Sequence, residues 1–453
     1  MAPHRSLLIG VGVLLAVSAC TGGGSSPHKS TGPTLPPLPA LIHKTPGATD
    51  VKTTGARGDG TGDDTAAFLR AEDAALASKV RFADGPGKRP QAVVYVPPGT
   101  YRLLRLSFRA DIRMEVDAGA VLEQAGGRNI AVKNNAPALI VWDGDPGHAL
   151  TNVSLVGVES ANGGRKSLAQ PLFKGWQVDG DFTFDLDPKY TDSNDAVTGL
   201  QALNVDGFLI QNVYSIENDY QPSTAPKNND DWWPQSRKAA LGLRERSDTP
   251  SDGSVYYDPH NGTIENWYNV NGPKGFGPNQ INAGHNLVFR HIFTRGGTSL
   301  RLETDASQGK GFASEIRGLQ ADDIAGENCN RVVSFVPHAQ TNYDVHVSHV
   351  QSVGCFAGVL ESFDESNKQS PGKFVDSTIS DVSVVGTDHA QDSIPNSGGL
   401  WKDGPSQKAF AKDGQTRQLW SVTYSGAVTC SGSFSTTSDR VMTKQGFEKF
   451  KCR

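Results

Sequence analysis

A short apolar pattern recurs along this chain at a nearly regular interval. Each copy is an apolar residue, two mostly polar residues and a second apolar residue. From Ile264 onward the first residues lie 25, 27, 31 and 32 positions apart, and the earlier gaps of 55 and 54 are interpreted as two turns each. Short strands that repeat at a fixed interval are typical of a solenoid, in which each coil buries its apolar residues against the next. The copies are Leu155/Val158, Ile210/Val213, Ile264/Trp267, Phe289/Ile292, Ile316/Leu319, Val347/Val350 and Ile379/Val382.

The composition favours strands over helices within these coils. The 453 residues include 50 glycines and only 3 methionines, and long amphipathic helical patterns are nearly absent. The predicted fold class is therefore all-β, with a β-solenoid over residues 48–400. A Greek-key sandwich remains the alternative, because it also has short strands with frequent turns.

One helix is predicted at the start of this region, over residues 64–77. Asp63 or Asp64 is suited to cap it, and Phe68 and Leu76 belong to its mostly apolar stripe. A helix at the end of a solenoid would shield the open core from water.

Three segments of the amino-terminal region carry a resemblance to known proteins: Val51–Ala67, Val93–Tyr101 and Ala118–Leu122. Together they resemble the opening of the pectate-lyase-like right-handed parallel β-helix proteins, in which a helix caps the solenoid. The resemblance implies a right-handed single-stranded parallel β-helix with an N-terminal capping helix. It also implies that Asp63 and Asp64 are structural and do not form a metal site. It does not choose the chemistry.

The apolar repeat is interrupted over residues 217–258. A loop of this length in a compact fold is usually functional or disordered, and its aromatic residues argue against simple disorder. The stretch contains Trp232-Trp233, a pair suited to stack on sugar faces, as well as Tyr256-Tyr257. The alternative is a self-packed loop whose aromatic residues form a small core of their own.

Two carboxylates, Glu303 and Asp305, follow the Gly296-Gly297 corner. If this segment is a strand, both side chains point to one face and their Cα atoms are about 6.6–7 Å apart. Inverting glycosidases separate their acid and base by about 6.5–9.5 Å, which leaves room for a water. Rotamers also allow the roughly 5–5.5 Å of a retaining pair, so the spacing favours inversion only weakly.

The segment Gly277–Asn282, the motif Arg301-Leu302-Glu303-Thr304-Asp305 and the downstream His338 form a recognisable set. The set resembles the iota-carrageenase family of glycoside hydrolases, which are β-helical and inverting. The resemblance implies that Glu303 is the general acid and Asp305 the general base. It implies further that Gln280 orients the attacking water and that His338 contacts substrate or a bound ion.

Each of these roles carries a condition or an alternative. A general acid needs a raised pKa, which the neighbours Asp305 and Leu302 are expected to give Glu303. Gln280 could instead be one rung of a stacked amide ladder, and His338 could be a histidine in a turn whose hydrogen bonds are satisfied within the protein.

A sulfated galactan would need guanidinium groups, whose planar fork matches sulfate. Arg301 shares a face with Glu303 by strand alternation, so it is expected in the cleft. The family resemblance is concentrated between Gln280 and His338, which leaves an uncharged or carboxylated polysaccharide as an alternative substrate. The predicted substrate-binding residues are Arg301, Arg295, Lys274, Trp232 and Trp233.

Three other functions remain open. Asp322-Asp323 and the segment 283–286 around His285 resemble two motifs of the pectin-type hydrolases of this fold. The Arg-x-Lys motif of those enzymes is missing here. A lyase would need an Arg or Lys base, for which Lys274 is the nearest candidate. A non-catalytic surface glycan-binding protein is the third alternative.

The first 20 residues have the pattern of an export signal. Arg5 precedes an apolar run from Leu7 to Val17, and small residues lead to Cys20. This resembles a bacterial lipoprotein signal, with lipidation of Cys20 and a tether to the outer face of a membrane, whereas an ordinary secretory peptide is the alternative. Residues 21–47 are rich in Gly, Ser, Thr and Pro and are predicted to be a linker.

Four cysteines follow Cys20, an even number in an oxidising compartment. Three pairings are open, and Cys329 with Cys355 and Cys430 with Cys452 close loops of similar length. The net charge of −5 points to no nucleic acid partner. We expect a monomer that acts on a polysaccharide and requires no cofactor. A structural Na or Ca ion would be compatible with this expectation. Residues 401–453 depart from the repeat and are expected to cap the last coils.

Overall fold

The computed structural model describes residues 41–125, 138–160, 181–185, 198–216, 239–246, 248–250, 254–272, 278–304, 314–337, 340–355, 357–361, 372–386, 389–390, 394–395, 400–402 and 422–432. The chain divides into two compact units, Met1–Leu35 and Pro36–Arg453, and the described residues all belong to the second. Within those residues, no helix is long and apolar enough to cross a membrane.

The described elements are one α-helix, one 3-10 turn and 28 strands. The α-helix is α1 (Thr65–Ala77), and the 3-10 turn is Val51–Thr54. The strands of the first half are β1 (Thr49–Asp50), β2 (Asp59–Asp63), β3 (Arg81–Phe82), β4 (Gln91–Val96), β5 (Gly99–Leu103), β6 (Leu106–Ser107), β7 (Ile112–Asp117), β8 (Ala120–Gln124), β9 (Ala138–Trp142), β10 (Leu150–Val158), β11 (Phe182–Asp185), β12 (Thr198–Ala202), β13 (Val205–Ile216) and β14 (Leu241–Leu243). Those of the second half are β15 (Pro259–Gly272), β16 (Asn279–Ile281), β17 (Gly284–Gly296), β18 (Thr298–Glu303), β19 (Ile316–Glu327), β20 (Arg331–Val336), β21 (Thr341–Val353), β22 (Ala357–Glu361), β23 (Lys373–Val375), β24 (Ser377–Gly386), β25 (His389–Ala390), β26 (Ile394–Pro395), β27 (Leu400–Lys402) and β28 (Val422–Gly432).

These strands form a right-handed parallel β-helix, as predicted. A larger sheet of 17 strands and a second sheet of nine strands are parallel almost throughout, and each coil contributes to both sheets. In the second sheet the order is β6, β9, β12, β14, β16, β18, β20, β22 and β27. Stacked residues such as Leu200, Leu241 and Leu300 are fully buried, so the core lies between the sheets and runs along the solenoid. Every coil covers its neighbour, which explains why the apolar pattern recurs.

The register corrects the predicted interval between two repeats. Phe289 lies beside Ala321, not beside Ile316, and Ala321 in turn lies beside Val347. Ile316 is buried, but it begins β19 and lies opposite Gly284. The sequence pattern missed Ala321 because alanine is only a weak marker of an apolar position.

The two long intervals also differ from the prediction. Leu155 lies directly beside Ile210, and Ile210 lies directly beside Ile264. Each interval of 55 or 54 residues is therefore one coil with long connections, not two coils. The prediction failed because it assumed coils of nearly constant length.

Left-handed residues form two stacked bends across the larger sheet. At each bend, φ lies between 49° and 70° on successive coils. Asn, Asp and Gly tolerate this conformation best, and His is also enriched in it, which explains why the first stack consists of Asn, Asp and Gly and the second of Asn, Asp and His. The first stack is Asp111, Asn152, Gly207, Asn261, Asn286, Gly318, Asp344 and Asp376, and the second is Asn212, Asn266, His291, Asp323, His349 and Asp381.

The predicted capping helix is present, and both adjoining aspartates are structural. Asp64 occupies the N-cap position, but its carboxylate accepts hydrogen bonds from the backbone N–H groups of Arg57 and Gly58. The carboxylate of Asp63 accepts the N–H of Thr65, the first helical residue, at 2.9 Å. Asp63 therefore supplies the helix contact, one residue before the cap position.

Strands also occur where the sequence predicted a loop and a cap. Within residues 217–258, β14 pairs in parallel with β12 and β16, so this stretch contributes to the second sheet. Beyond residue 400, β27 and β28 extend the second and the larger sheet respectively. β14 and β27 have only three residues each, too few for the apolar pair that marked the other coils. In β28, Tyr424 and Val428 lie beside Ile379 and Val382, but a register shift separates them by one residue more than in the repeat. Cys329 and Cys355 form a buried disulfide, whereas Cys452 lies outside the described residues.

Candidate active site

The candidate site lies on the outward face of the second sheet, on β16 and β18. Side chains alternate along a strand, and Leu300 and Leu302 point into the core. Arg301 and Glu303 therefore point outward. Parallel pairing places Gln280 beside Arg301 and Ile281 beside Leu302. A sequence separation of 23 residues thus becomes a contact between neighbouring coils.

The carboxylate of Glu303 is held by two donors. Nε2 of Gln280 donates to Oε2 at 2.6 Å, and Nη2 of Arg301 donates to Oε1 at 2.6 Å. Gln280 and Glu303 are only 2 % and 7 % exposed. Both carboxylate oxygens accept hydrogen bonds, so the orientation of this side chain is fixed. The structure thus brings together three of the predicted site residues, Gln280, Arg301 and Glu303.

Sequence reasoning did not single out two residues beside Glu303. Asn282 donates from Nδ2 to the backbone carbonyl of Glu303 at 2.6 Å. Arg244, just after β14, lies within the electrostatic reach of Glu303 and Arg301; burial lowers its pKa, and the charges of Glu245 and Glu303 oppose that shift. The strand alternation Gln280-Ile281-Asn282 could have indicated Asn282. Nothing in the sequence indicated Arg244, because β14 itself was predicted as loop.

Within the part of the chain that the structure describes, several buried oxygen atoms at this face have no hydrogen-bond partner. They include Oε1 of Gln280, Oδ1 of Asn282 and Oγ of Ser334, and Ser334 lies beside Arg301 on the next coil. Because a carboxylate can only accept, the amide nitrogen of Gln280 must face Glu303, which leaves its oxygen as a free acceptor. Buried polar groups without partners are rare in folded proteins and fit a site that receives a ligand or water. Ser334 is therefore a further candidate that sequence reasoning missed.

The predicted position of the Leu302 side chain beside the Glu303 carboxyl is wrong. Leu302 was expected to surround the carboxyl with apolar atoms, but it packs in the core on the opposite face of the strand. Arg301 instead contacts the carboxylate, and a neighbouring cation stabilises its charged form. The other predicted influence, Asp305, lies outside the described residues.

Arg295 is not part of this constellation. It lies one residue before the end of β17 in the larger sheet, where its Nη2 is 3.2 Å from Oε1 of the buried Glu327. Gly296 and Gly297 follow with φ of 82° and 67°, a conformation that glycine adopts freely, and the chain turns there into the second sheet. A corner therefore separates Arg295 from Glu303, although the two residues are close in sequence.

The remaining predicted site residues lie outside the described ranges. They are Asp305, His338, Lys274, Trp232 and Trp233.

The residues that resemble motifs of pectin-type hydrolases do not lie together in the structure. His285 is the second residue of β17 and lies between Asp258 at 2.7 Å and Glu315 at 3.1 Å. Asp322 lies beside Arg290, whereas His285 lies beside Arg317, five residues from Asp322 along β19. That offset corresponds to roughly 17 Å of strand. These residues therefore do not assemble one site. Among the residues that the structure describes, no group of three or more His, Cys, Asp or Glu could hold a metal ion.

Comparison with known proteins agrees with this architecture. A family model described as rhamnogalacturonase A/epimerase, pectate lyase-like, matches residues 48–105. The iota-carrageenase of Zobellia galactanivorans is 27% identical over 289 residues, and that of Alteromonas macleodii is 25% identical over 309 residues. The chain is a relative of the iota-carrageenases. These alignments cover 62% and 67% of the chain, which spans about half the length of the curated relatives, 49% and 50%.

Solved iota-carrageenases share the fold. The family GH82 enzyme from A. fortis superimposes with a TM-score of 0.58 at 17% identity, covering 92% of this chain and 94% of its own. A structure titled as an iota-carrageenase complexed to iota-carrageenan fragments gives a TM-score of 0.55 at 15% identity, with 90% and 96% coverage. At these identities the match supports the right-handed parallel β-helix.

Proposed function

We propose that this protein is a glycoside hydrolase that cleaves a sulfated galactan of the iota-carrageenan type. The observation that carries the proposal is the constellation of Gln280, Arg301 and Glu303. It presents a fixed carboxylate, a guanidinium suited to sulfate and an amide oxygen that has no partner among the described residues, all on one outward face. Two iota-carrageenases related to the chain in sequence support the substrate class.

In the proposed reaction, Glu303 is the general acid and Asp305 the general base. Glu303 gives its proton to the glycosidic oxygen as the bond from that oxygen to the anomeric carbon breaks. Asp305 takes a proton from a water, and the water oxygen attacks the anomeric carbon from the opposite side, which inverts the configuration. The free Oε1 of Gln280 suits a hydrogen bond from such a water or from a sugar hydroxyl.

Arg301 gives the proposed reaction a dependence on sulfate. Without substrate, its Nη2 donates to Oε1 of Glu303, which opposes protonation of that oxygen. A sulfate ester would compete for the guanidinium fork and leave Oε1 free to carry the catalytic proton. Binding of the correct substrate would then create the acid that cleaves it.

We further propose that the protein acts outside the cell, tethered through a lipid on Cys20. The apolar run 7–17 and the small residues before Cys20 support this location. Residues 21–47 would serve as a spacer between membrane and solenoid.

Hydrolysis of iota-carrageenan by the wild type and by Glu303→Gln tests the proposed function. The wild type should release reducing ends, and the variant should bind the polysaccharide without cleaving it. Binding by both proteins without cleavage would support the alternative of a non-catalytic glycan-binding protein. Cleavage at equal rates would exclude Glu303 as the acid.

A further inference from the structure

Thr304 is the single residue between Glu303 and Asp305, the proposed acid and base. β18 ends at Glu303, and the last residue pair that joins it to β20 is Glu303 with Val336. Among the described residues, strand pairing therefore fixes Glu303 but does not extend to Thr304. The separation of the two carboxylates depends on how Thr304 is held, because its φ and ψ set the direction in which the chain continues.

Side-chain hydrogen bonds hold Thr304 beyond the end of the strand. Its Oγ1 donates to the backbone carbonyl of Pro337 at 3.1 Å and accepts a hydrogen bond from Nδ2 of Asn342 at 3.2 Å. Oδ1 of Asn342 accepts the backbone N–H of Ile316 at 2.9 Å. Thr304 and Asn342 are both fully buried. Since Pro337 directly follows β20, the Thr304 hydroxyl joins the end of β18 to the next coil.

The chemistry of these groups fixes the direction of every hydrogen bond in the network. A backbone N–H can only donate, so the side-chain oxygen of Asn342 faces Ile316 and its nitrogen faces Thr304. A backbone carbonyl can only accept, so the hydroxyl proton of Thr304 goes to Pro337. The position thus needs a side chain that donates and accepts at once. Serine meets this need, whereas valine has the shape of threonine without the hydroxyl.

Asn282 holds the same segment from the preceding coil. Its Nδ2 donates to the carbonyl of Glu303 at 2.6 Å, and this carbonyl belongs to the peptide bond between Glu303 and Thr304. Asn282 is also buried, and it directly follows β16, which lies beside β18 on the side away from β20. The peptide bond after the proposed acid is therefore tied to both neighbouring coils.

We propose that Asn282, Thr304 and Asn342 form a clamp that positions the proposed acid and base relative to each other. They are positioning residues, which act through the backbone of Glu303 and Thr304. A displacement of about 1 Å between reacting groups can cost about 10²-fold in rate, so a fixed separation matters for the reaction. This inference rests on the proposed function, since it names what holds the two carboxylates of that reaction.

The test compares the wild type with Thr304→Val, Thr304→Ser and Asn282→Leu. The kcat and KM for hydrolysis of iota-carrageenan are measured, together with the Kd for its oligosaccharides in the Glu303→Gln background. Thr304→Val should lower kcat by about 10²-fold and leave KM and Kd nearly unchanged, because it misplaces the reacting groups and keeps the residues proposed to bind substrate. Thr304→Ser should restore kcat close to the wild-type value. Asn282→Leu should lower kcat without raising KM or Kd.

Thr65→Val is the matched control. Thr65 is buried at the start of α1, where its Oγ1 accepts the backbone N–H of Leu104 at 2.6 Å. The replacement removes a buried hydroxyl of the same kind in the capping helix. It should lower the unfolding temperature, as Thr304→Val also should, but it should leave kcat at the wild-type value. All assays are run below the lowest unfolding temperature of the set.

Two outcomes would overturn the clamp in a wild type that cleaves the polysaccharide. One is a folded Thr304→Val or Asn282→Leu protein with the kcat of the wild type. The other is a Thr65→Val protein whose kcat falls as far as that of Thr304→Val, which would show that the loss follows from destabilisation alone. Both leave the proposed function intact. A wild type that cleaves no sulfated galactan would overturn the clamp together with the proposed function.

Discussion

Nε2 of Gln280 lies 2.6 Å from Oε2 of Glu303, although the two residues are 23 positions apart in the chain. The contact exists because β16 and β18 are neighbours in the second sheet, one coil apart. A parallel solenoid places residues of successive coils side by side, so it can build a compact site from distant segments. The fold itself therefore organises the proposed chemistry.

Replacement of Arg301 by lysine should reduce kcat/KM on a sulfated galactan by about 10–100-fold. Lysine keeps the positive charge but loses the planar fork that matches both a carboxylate and a sulfate. The effect should be much smaller on a chemically desulfated galactan, because the sulfate contact is then missing from both proteins. Initial rates on the two substrates measure this difference.

Arg290→Lys is the matched control for Arg301. Arg290 lies on β17, is half exposed and pairs with Glu265 at 3.7 Å in the larger sheet. Its replacement should leave both rates unchanged. Equal losses for Arg301→Lys on both substrates would argue against a sulfate contact by this residue.

A buried carboxyl in the capping helix should make stability depend on pH. Burial raises the pKa of Glu72 from 4.5 to about 8, only partly opposed by the backbone N–H of Arg109, which donates to Oε2. The folded protein therefore retains a proton that the unfolded chain loses, and stability should fall as the pH rises from about 4.5 to 8 and then level off. Glu72→Gln removes this loss, so at pH 9 it should unfold at a higher temperature than the wild type. The gain in the free energy of unfolding is up to a few kcal/mol, since each pKa unit is worth about 1.4 kcal/mol.

Thermal unfolding of Glu72→Gln and Asp73→Asn between pH 4 and 9 checks this prediction. Asp73 is exposed and pairs with Arg109 at 2.9 Å, so its replacement should leave the shape of the pH profile nearly unchanged. A wild-type stability that rises from pH 4.5 to 8 would have the opposite sign from the one expected.

Much of the fold was predictable from the sequence because each coil must bury its own apolar pair. Ile264, Phe289 and Val347 marked coils correctly for this reason. Ala321 was missed because a small residue satisfies the same position with little hydrophobic signal. The long interval from Leu155 to Ile210 was misinterpreted because connections between strands vary freely in length without changing the register.

The candidate site was predictable only where its residues share one strand or one short motif. Arg301 and Glu303 are two positions apart on β18, so alternation alone places them on one face. Arg295 lies in the larger sheet, not beside Glu303, because two corner glycines turn the chain between the sheets. Arg244 and Ser334 required the pairing of β14 and β20 with their neighbours, which depends on the register of whole coils.

Replacement of Cys20 by alanine should release the protein from membranes into the medium. A lipidated amino-terminal cysteine would hold it there, and alanine cannot carry the lipid. Fractionation of expressing cells, with detection of the protein in membrane and medium, measures the change. An unchanged distribution would contradict the proposed tether, whereas loss of the wild type to the medium would favour an ordinary secretory signal.

Glu303 and Asp305 are proposed to hydrolyse a sulfated galactan with inversion. Time-resolved proton NMR of the first product from iota-carrageenan tests it most directly, with the wild type, Glu303→Gln and Asp305→Asn compared. We expect the wild type to release the inverted anomer and each amide variant to lose about 10²–10⁴-fold in turnover, the usual contribution of general acid–base catalysis. Net retention of configuration, or full activity in both amide variants, would contradict this account.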